Sequence, residues 1–277
     1  MAPTFFFLLF IPFLVHSYEV TDRISHIEED QESNGPTLIL LSHGKVVKYF
    51  SQTKLNDELL DSARREKRLV KFNLEKNRLL RSFDILPFAS RLERENTSWA
   101  FTYEPTILNS LDEAISIFKN LRRGSTSWSQ CFNRAHIWAY ESKNKYDLDS
   151  MKAFLFFTSK YIRRYDYEWW FHVSPYTLTQ EEGEVKERVL DFRFSKTPLF
   201  MKSWTDLFML NKASCPIVEK YSQYRQNQDQ EDCYLIKTSM YYLQPLDLSN
   251  LEETGRERSK WNDYEIRRAY RNGFGRW

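Results

Sequence analysis

The spacing of apolar residues changes repeatedly along this chain, and that alternation restricts the fold more than any other feature. Thr37–Leu41 and residues 45–50 are short β-prone runs around Ser42, His43 and Gly44, a hairpin signal. Leu55, Leu59 and Leu60, with charges between them, set a helical period over 54–66. Residues 69–74 and 78–83 read as two more strands around Glu75, Lys76 and Asn77. Together these make a small ββαββ unit ending near Pro87. A linker over 90–98 follows and contains Asn96-Thr97-Ser98, a glycosylation sequon.

The second half alternates in the same way. Leu108, Leu111, Ile115, Phe118 and Leu121 repeat at helical spacing. After a loop over 122–130 that is rich in Ser, Thr and Gly, a helix opens at Cys131. Residues 154–157 are an apolar run. Residues 169–176 and 187–194 read as two strands joined by a turn at 181–184. Phe200, Met201, Trp204, Leu207 and Phe208 predict a helix over 198–210. The basic tail over 255–277 is expected to dock through Trp261, Tyr264, Ile266 and Tyr270. No internal repeat is visible.

Composition removes several function classes. The chain has 277 residues, is 42% hydrophobic and 16% aromatic, and so is neither disordered nor too short for a core. Lys and Arg number 40 against 38 Asp and Glu, leaving +2, and no global field points to nucleic acid. Five His and three Cys are too few and too scattered for a Cys/His zinc framework. With no phosphate loop either, no metal and no cofactor are expected.

Residues 5–15 are apolar, long enough for a signal-peptide core and too short to span a bilayer. Charged and polar chemistry begins abruptly at Tyr18. Residues 1–17 are therefore expected to be a signal peptide, and 18–36, acidic and polar, a mobile leader. The mature chain would be secreted or periplasmic and free of the membrane, in an oxidising compartment. There, Cys215 and Cys233 flank a polar loop over 221–232 and are the natural pair to join. Closing such a loop stabilises by about 3 kcal/mol. Cys131 is then the leftover thiol, to be flagged as reactive or intermolecular.

At a helix start, Cys131 would have unpaired N–H groups and the positive end of the macrodipole beside it, with Ser127 or Ser129 as the cap. Such a setting favours a thiolate, which needs a base, and the base needs an orienting acceptor. His136 is five residues on and lies round the helix from the thiol, so it reads as a core histidine. His172 alternates with Trp170 and Ser174 on one strand face. Asp191, between Leu190 and Phe192 in the next strand-like run, would meet it through a hairpin. Burial of a carboxylate there demands a partner. Residue chemistry alone does not separate a protease, an amidase and an acyltransferase.

The stretch Cys131-Phe132-Asn133-Arg134-Ala135-His136 resembles the Cys-x-x-Arg-Ala-His segment of bacterial protein glutaminases. Trp170-Phe171-His172-Val173 resembles that family's His-Val segment. Val189-Leu190-Asp191, followed by a Pro and then Trp204, resembles its Asp segment and the helix after it. The resemblance covers about residues 125–210. It implies an α+β fold with a papain- and transglutaminase-like core: a helix bearing Cys against an antiparallel sheet bearing His and Asp. It also implies hydrolysis of the side-chain amide of glutamine in proteins or peptides, with Cys131 as nucleophile forming a thioester, His172 as base and then acid, and Asp191 orienting His172. The expected organisation is a small α+β domain or pro-segment over 37–98 and a catalytic domain over 99–277, acting as a monomer. Two alternatives stand beside this. One is transglutaminase-type transfer to an amine. The other is a non-catalytic exported interaction protein on the same fold.

Overall fold

A computed structural model describes residues 17–29, 35–51, 53–86, 103–125 and 130–275. Apart from Ser17, the signal-peptide expectation lies outside the described residues, as do the linker over 90–98 and the loop serines Ser127 and Ser129. The chain is mixed α+β and divides into two units. Within the described residues, the first comprises positions up to Ile39 and then Val47 to 86, and the second Leu40–Val46 and everything from 103 on.

The first unit is a five-stranded sheet with one helix. Its elements are β1 (Ser17–Glu28), β2 (Thr37–Leu41), β3 (Val46–Tyr49), α1 (Lys54–Arg65), β4 (Leu69–Glu75) and β5 (Leu80–Ile85). The strand order is β3-β2-β1-β4-β5, and β4 runs antiparallel to both β1 and β5. β4 alternates strictly, so Val70, Phe72 and Leu74 point into the core. α1 starts where Thr53 caps it by accepting from the Asn56 N–H at 3.2 Å, and it buries Leu60 and Ala63. The ββαββ reading finds every one of its elements here. The mobile leader over 18–36 is corrected: Ser17–Glu28 is the central strand. Only Ile24 on it is buried, so it carries no apolar alternation, and its place is fixed by backbone pairing with β4.

In the second unit, β6 (Ile107–Leu108), α2 (Leu111–Lys119), α3 (Cys131–Tyr146), β7 (Met151–Phe157), α4 (Ser159–Tyr165), β8 (Phe171–Glu181) and β9 (Glu184–Val189) follow one another. Then come α5 (Met201–Thr205), α6 (Tyr221–Gln226), β10 (Cys233–Ser239), α7 (Pro245–Thr254) and α8 (Asp263–Phe274). The sheet order is β10-β7-β8-β6, with β9 also on β8. β7 lies between two strands and is buried on both faces, which explains its unbroken apolar run. α3 is buried nearly all round, since it packs on β8 and on α8. Ile137 and Trp138 of α3 join Phe118, Leu190, Ile266, Tyr270 and Phe274 in one cluster. The tail thus docks through Ile266 and Tyr270 with Trp261 packed alongside, whereas Tyr264 stays half exposed.

Three further boundaries differ from expectation. The helix over 198–210 is reduced to Met201–Thr205. Before it, Leu199 pairs with Val189 in extended backbone; after it, Leu207 and Phe208 bond three residues back to Trp204 and Thr205, tightening the chain into turns. The polar loop over 221–232 contains α6, because Tyr221 and Tyr224 are buried against Phe156. The strand expected to bear Asp191 ends at Val189, which pairs with Tyr176 of β8 on one side and Leu199 on the other, so Asp191 lies two residues beyond it. The hairpin tip, Leu40–Val46, belongs with the second unit and not with the residues of 37–98 around it.

Candidate active site

His172 sits second on β8, opposite Leu155 of β7, and is 6% exposed. β8 and β9 form a hairpin in which Tyr176 faces Val189. Its turn places Glu182 and Gly183 at positive φ, 52° and 85°, a conformation glycine adopts freely. Beyond the last pair, the Leu190 N–H donates to the Pro175 carbonyl at 2.8 Å. This register brings Asp191 to the level of Ser174, on the strand face that also carries His172.

The result is a buried hydrogen bond of 2.7 Å between His172 Nε2 and Asp191 Oδ2. The same oxygen accepts from Trp204 Nε1 at 2.9 Å. Asp191 Oδ1 is buried without a hydrogen-bond partner among the described residues. The imidazole ring is surrounded by aromatics. Phe208 lies 4.2 Å away and tilted, Phe194 meets the ring edge-on at 5.2 Å, and Trp204 is at 5.7 Å.

Cys131 is the first residue of α3 and is 5% exposed. It lies close enough to the His172 ring to help raise the pKa of the imidazole. With Nε2 committed to Asp191, Nδ1 is the ring's remaining nitrogen. α3 begins after Gln130, which makes no side-chain cap; its Oε1 instead accepts from Asn133 Nδ2 at 2.7 Å. The first intrahelical bond is Arg134 N–H to Gln130 O, so the N–H groups at the start of α3 have no partner within the helix.

Burial alone would lower the His172 pKa. The Asp191 charge, the hydrogen bond to it and then Cys131 outweigh burial and push it up to about 9. Burial likewise opposes ionisation of Asp191, but the His172 charge and the hydrogen bonds from His172 and Trp204 hold the carboxyl below its usual value. Arg134, one turn along α3 from Cys131, is 5% exposed. Burial lowers its pKa, the charges of Cys131 and Asp191 support it, and that of Arg193 opposes it. As a guanidinium it stays protonated at any physiological pH.

The structure joins His172 to Asp191 by a hydrogen bond and sets Cys131 near them. Cys215 and Cys233 form a disulfide with Cα atoms 5.0 Å apart, pinning the segment after Cys215 beside β10, where Val218 N–H donates to the Leu235 carbonyl and Leu235 N–H to the Pro216 carbonyl. His136 lies elsewhere, fully buried, with Lys152 Nζ 2.8 Å from its Nδ1 and Trp261 edge-on to its ring. Lys152 is itself buried and also donates to the Tyr242 carbonyl at 2.6 Å. Burial holds both groups well below their ordinary pKa values. Three functional neighbours had no part in the residue-level reading: the Trp204 indole, the Phe194 and Phe208 rings, and the Arg134 charge. Only Arg134 carried a local signal, its separation of three from Cys131 on a helix.

The turn after Asp191 completes the site. The Asp191 carbonyl accepts from Phe194 N–H at 3.2 Å, Ser195 N–H at 3.0 Å and Ser195 Oγ at 2.9 Å. Among the described residues no group of His, Cys, Asp and Glu has the arrangement to hold a metal ion, and no helix is long and apolar enough to cross a membrane.

An α+β unit with His172 hydrogen-bonded to Asp191 and Cys131 at a helix start can now be set beside known proteins. A family described as glutaminase matches residues 115–208, the stretch holding Cys131, His172, Asp191 and Trp204. No curated protein sequence matches. Among solved structures, the chain is similar to an A47Q2 mutant of pro-protein-glutaminase, at 15% identity and a TM-score of 0.53 over 81% of this chain and 83% of the other. It is also similar to pro-protein-glutaminase, at 14% identity and a TM-score of 0.51 over the same shares. The chain thus shares the fold of pro-protein-glutaminase and resembles the protein-glutaminase family.

Proposed function

We propose that this chain is an exported protein-glutamine deamidase that converts glutamine side chains in proteins or peptides to glutamate and ammonia, on a papain- and transglutaminase-like core. The reading is supported by the buried 2.7 Å hydrogen bond between His172 and Asp191 with Cys131 beside them at the start of a helix.

In this reading the Cys131 thiolate attacks the side-chain carbonyl carbon of glutamine, with His172 protonated beside it. Negative charge moves to the carbonyl oxygen, where N–H groups at the start of α3 accept it. His172 passes its proton to the nitrogen, the carbon–nitrogen bond breaks, and ammonia leaves a thioester on Cys131. Neutral His172 then takes a proton from water. The resulting attack breaks the carbon–sulfur bond and leaves glutamate with the Cys131 thiol and His172 ready to re-form their pair. Asp191 keeps the ring oriented and stabilises its charged form throughout. Export is supported by the Cys215–Cys233 disulfide, which persists in oxidising compartments.

The Leu40–Val46 tip bears on regulation. Trp170 N–H donates to the Gly44 carbonyl at 2.9 Å, the Trp170 indole to the Leu41 carbonyl at 2.7 Å, and Val46 N–H to the Glu168 carbonyl at 3.1 Å. These bonds fasten the tip within the second unit, two residues from His172; a pro-segment role for 37–98 is part of the proposal. The dibasic pair Arg64–Arg65, a site at which such a segment would be cut, lies in the last turn of α1 and is tied to Asp61.

The test is ammonia release from a glutamine-containing peptide by wild type and Cys131→Ala, before and after limited proteolysis. A product about one mass unit heavier, formed only with Cys131 present, is expected. Ammonia release that survives Cys131→Ala overturns the mechanism. A cross-linked product in place of glutamate would make the enzyme a transglutaminase. A rate unchanged by proteolysis removes the pro-segment role.

A further inference from the structure

The turn after Asp191 carries a feature that deamidation itself does not use. Arg123, Phe192, Arg193, Phe194, Ser195 and Lys196 line an open pocket of about 500 Å³. Three of the six are cations, and none is a carboxylate. Arg193 and Lys196 are exposed and make no ion pair among the described residues. The Arg123 guanidinium lies over the Phe192 ring at 4.9 Å, which leaves its edges for an incoming oxygen. Arg193 is close enough to Arg134 for their positive charges to oppose each other, so the region gains from an added anion.

The pocket adjoins the reacting centre. Phe194 lines it and meets the His172 ring at 5.2 Å. The turn bearing Phe194 and Ser195 is held by the Asp191 carbonyl, so the distance from His172 to the cations is set by backbone bonds.

We propose that this pocket binds an acidic side chain next to the reacting glutamine, so that the preferred substrates are glutamines in acidic stretches of polypeptide. The proposal rests on the deamidase reading above. Guanidinium groups match carboxylates in charge and in fork geometry, and the aromatic floor takes the aliphatic stem of a glutamate. An exposed ion pair contributes little by itself, so two such contacts give a preference of about fivefold. Because the cations are exposed, the preference weakens as salt rises.

The experiment uses three peptides of one length in which glutamine is flanked on both sides by Glu, Ala or Lys. Turnover is measured for wild type and for the double variant Arg193→Glu, Lys196→Glu, at low and high salt. The expected order in kcat/KM is Glu, Ala, Lys, about fivefold per step, flattening with salt and reversing in the variant. Equal kcat/KM for the three peptides overturns this inference and leaves the deamidase reading standing. If wild type deamidates none of them either before or after limited proteolysis, the deamidase reading fails, and fluorescence anisotropy of the labelled peptides decides the pocket. Tighter binding of the Glu peptide, lost in the double variant, supports it; equal binding of the Glu and Lys peptides overturns it.

Discussion

The Trp204 indole N–H donates to Asp191 Oδ2, the same carboxylate oxygen that meets His172. One buried oxygen thus takes two donors, and the tryptophan helps fix the carboxylate that meets the imidazole. Trp204→Phe keeps most of the ring and removes the donor. A hydrogen bond to a charged group contributes about 1.5–3 kcal/mol, so the variant should fall by that amount in stability and about tenfold in kcat/KM. Urea unfolding and peptide turnover measure the two. A stable variant with full turnover would show that the indole only fills space.

Asp191→Asn tests the carboxylate itself. The side chain retains its size but loses the charge that supports imidazolium, and kcat should fall by about 10²–10⁴. Circular dichroism should still report a folded chain. Turnover within about twofold of wild type would remove Asp191 from the mechanism.

The pH dependence follows from His172. Its pKa is held up to about 9 against an ordinary 6.5, so its charged form stabilises the fold. That contribution is complete below about pH 6.5 and is lost as the pH climbs through about 9. Wild type should therefore lose Tm across this window, and Asp191→Asn should lose much less. Thermal unfolding of both proteins at a series of pH values gives the two slopes. Parallel slopes would contradict the ion pair. The alkaline limb of kcat/KM should fall in the same window, since the departing ammonia takes its proton from His172.

Arg134 supplies positive charge to both Cys131 and Asp191 from inside the fold. Arg134→Met preserves the stem and deletes that charge. Iodoacetamide labelling of Cys131 should slow, and kcat should fall about tenfold or more, with Arg134→Lys recovering part of it. Labelling at the wild-type rate in the methionine variant would count against an electrostatic role.

The disulfide contributes through the chain it closes, and α6 lies inside that loop. Removing both sulfurs as Cys215→Ser, Cys233→Ser should cost about 2–4 kcal/mol. Denaturant unfolding with and without reductant checks this. The double variant should be insensitive to reductant, whereas wild type should soften to its level.

Much of this architecture was legible in the sequence for local reasons. Strands β2 to β5 and helix α1 lie where alternation and turn residues place them, and α3 opens at Cys131 itself. The approach of His172 to Asp191 was legible because a hairpin fixes which residues face one another. What escaped has tertiary causes. β1 is a central strand with one buried side chain, so nothing in its sequence marks it. α6 sits in a polar stretch and is held by Tyr221 and Tyr224. The Trp204 donor and the buried Lys152–His136 pair join residues far apart in the chain, and no local period records such a contact.

Asp191 serves two masters through two different groups: its carboxylate governs a proton, and its carbonyl anchors the turn that carries the cationic rim. Chemistry and selectivity are therefore mounted on a single hub. If the proposed deamidase activity and acidic-substrate pocket hold, exchanging the outward side chains at positions 193 and 196 should redirect selectivity without touching that hub. A backbone shift at 191 would instead detune the imidazole and displace the rim together, so insertions in this turn should be far less tolerated than substitutions.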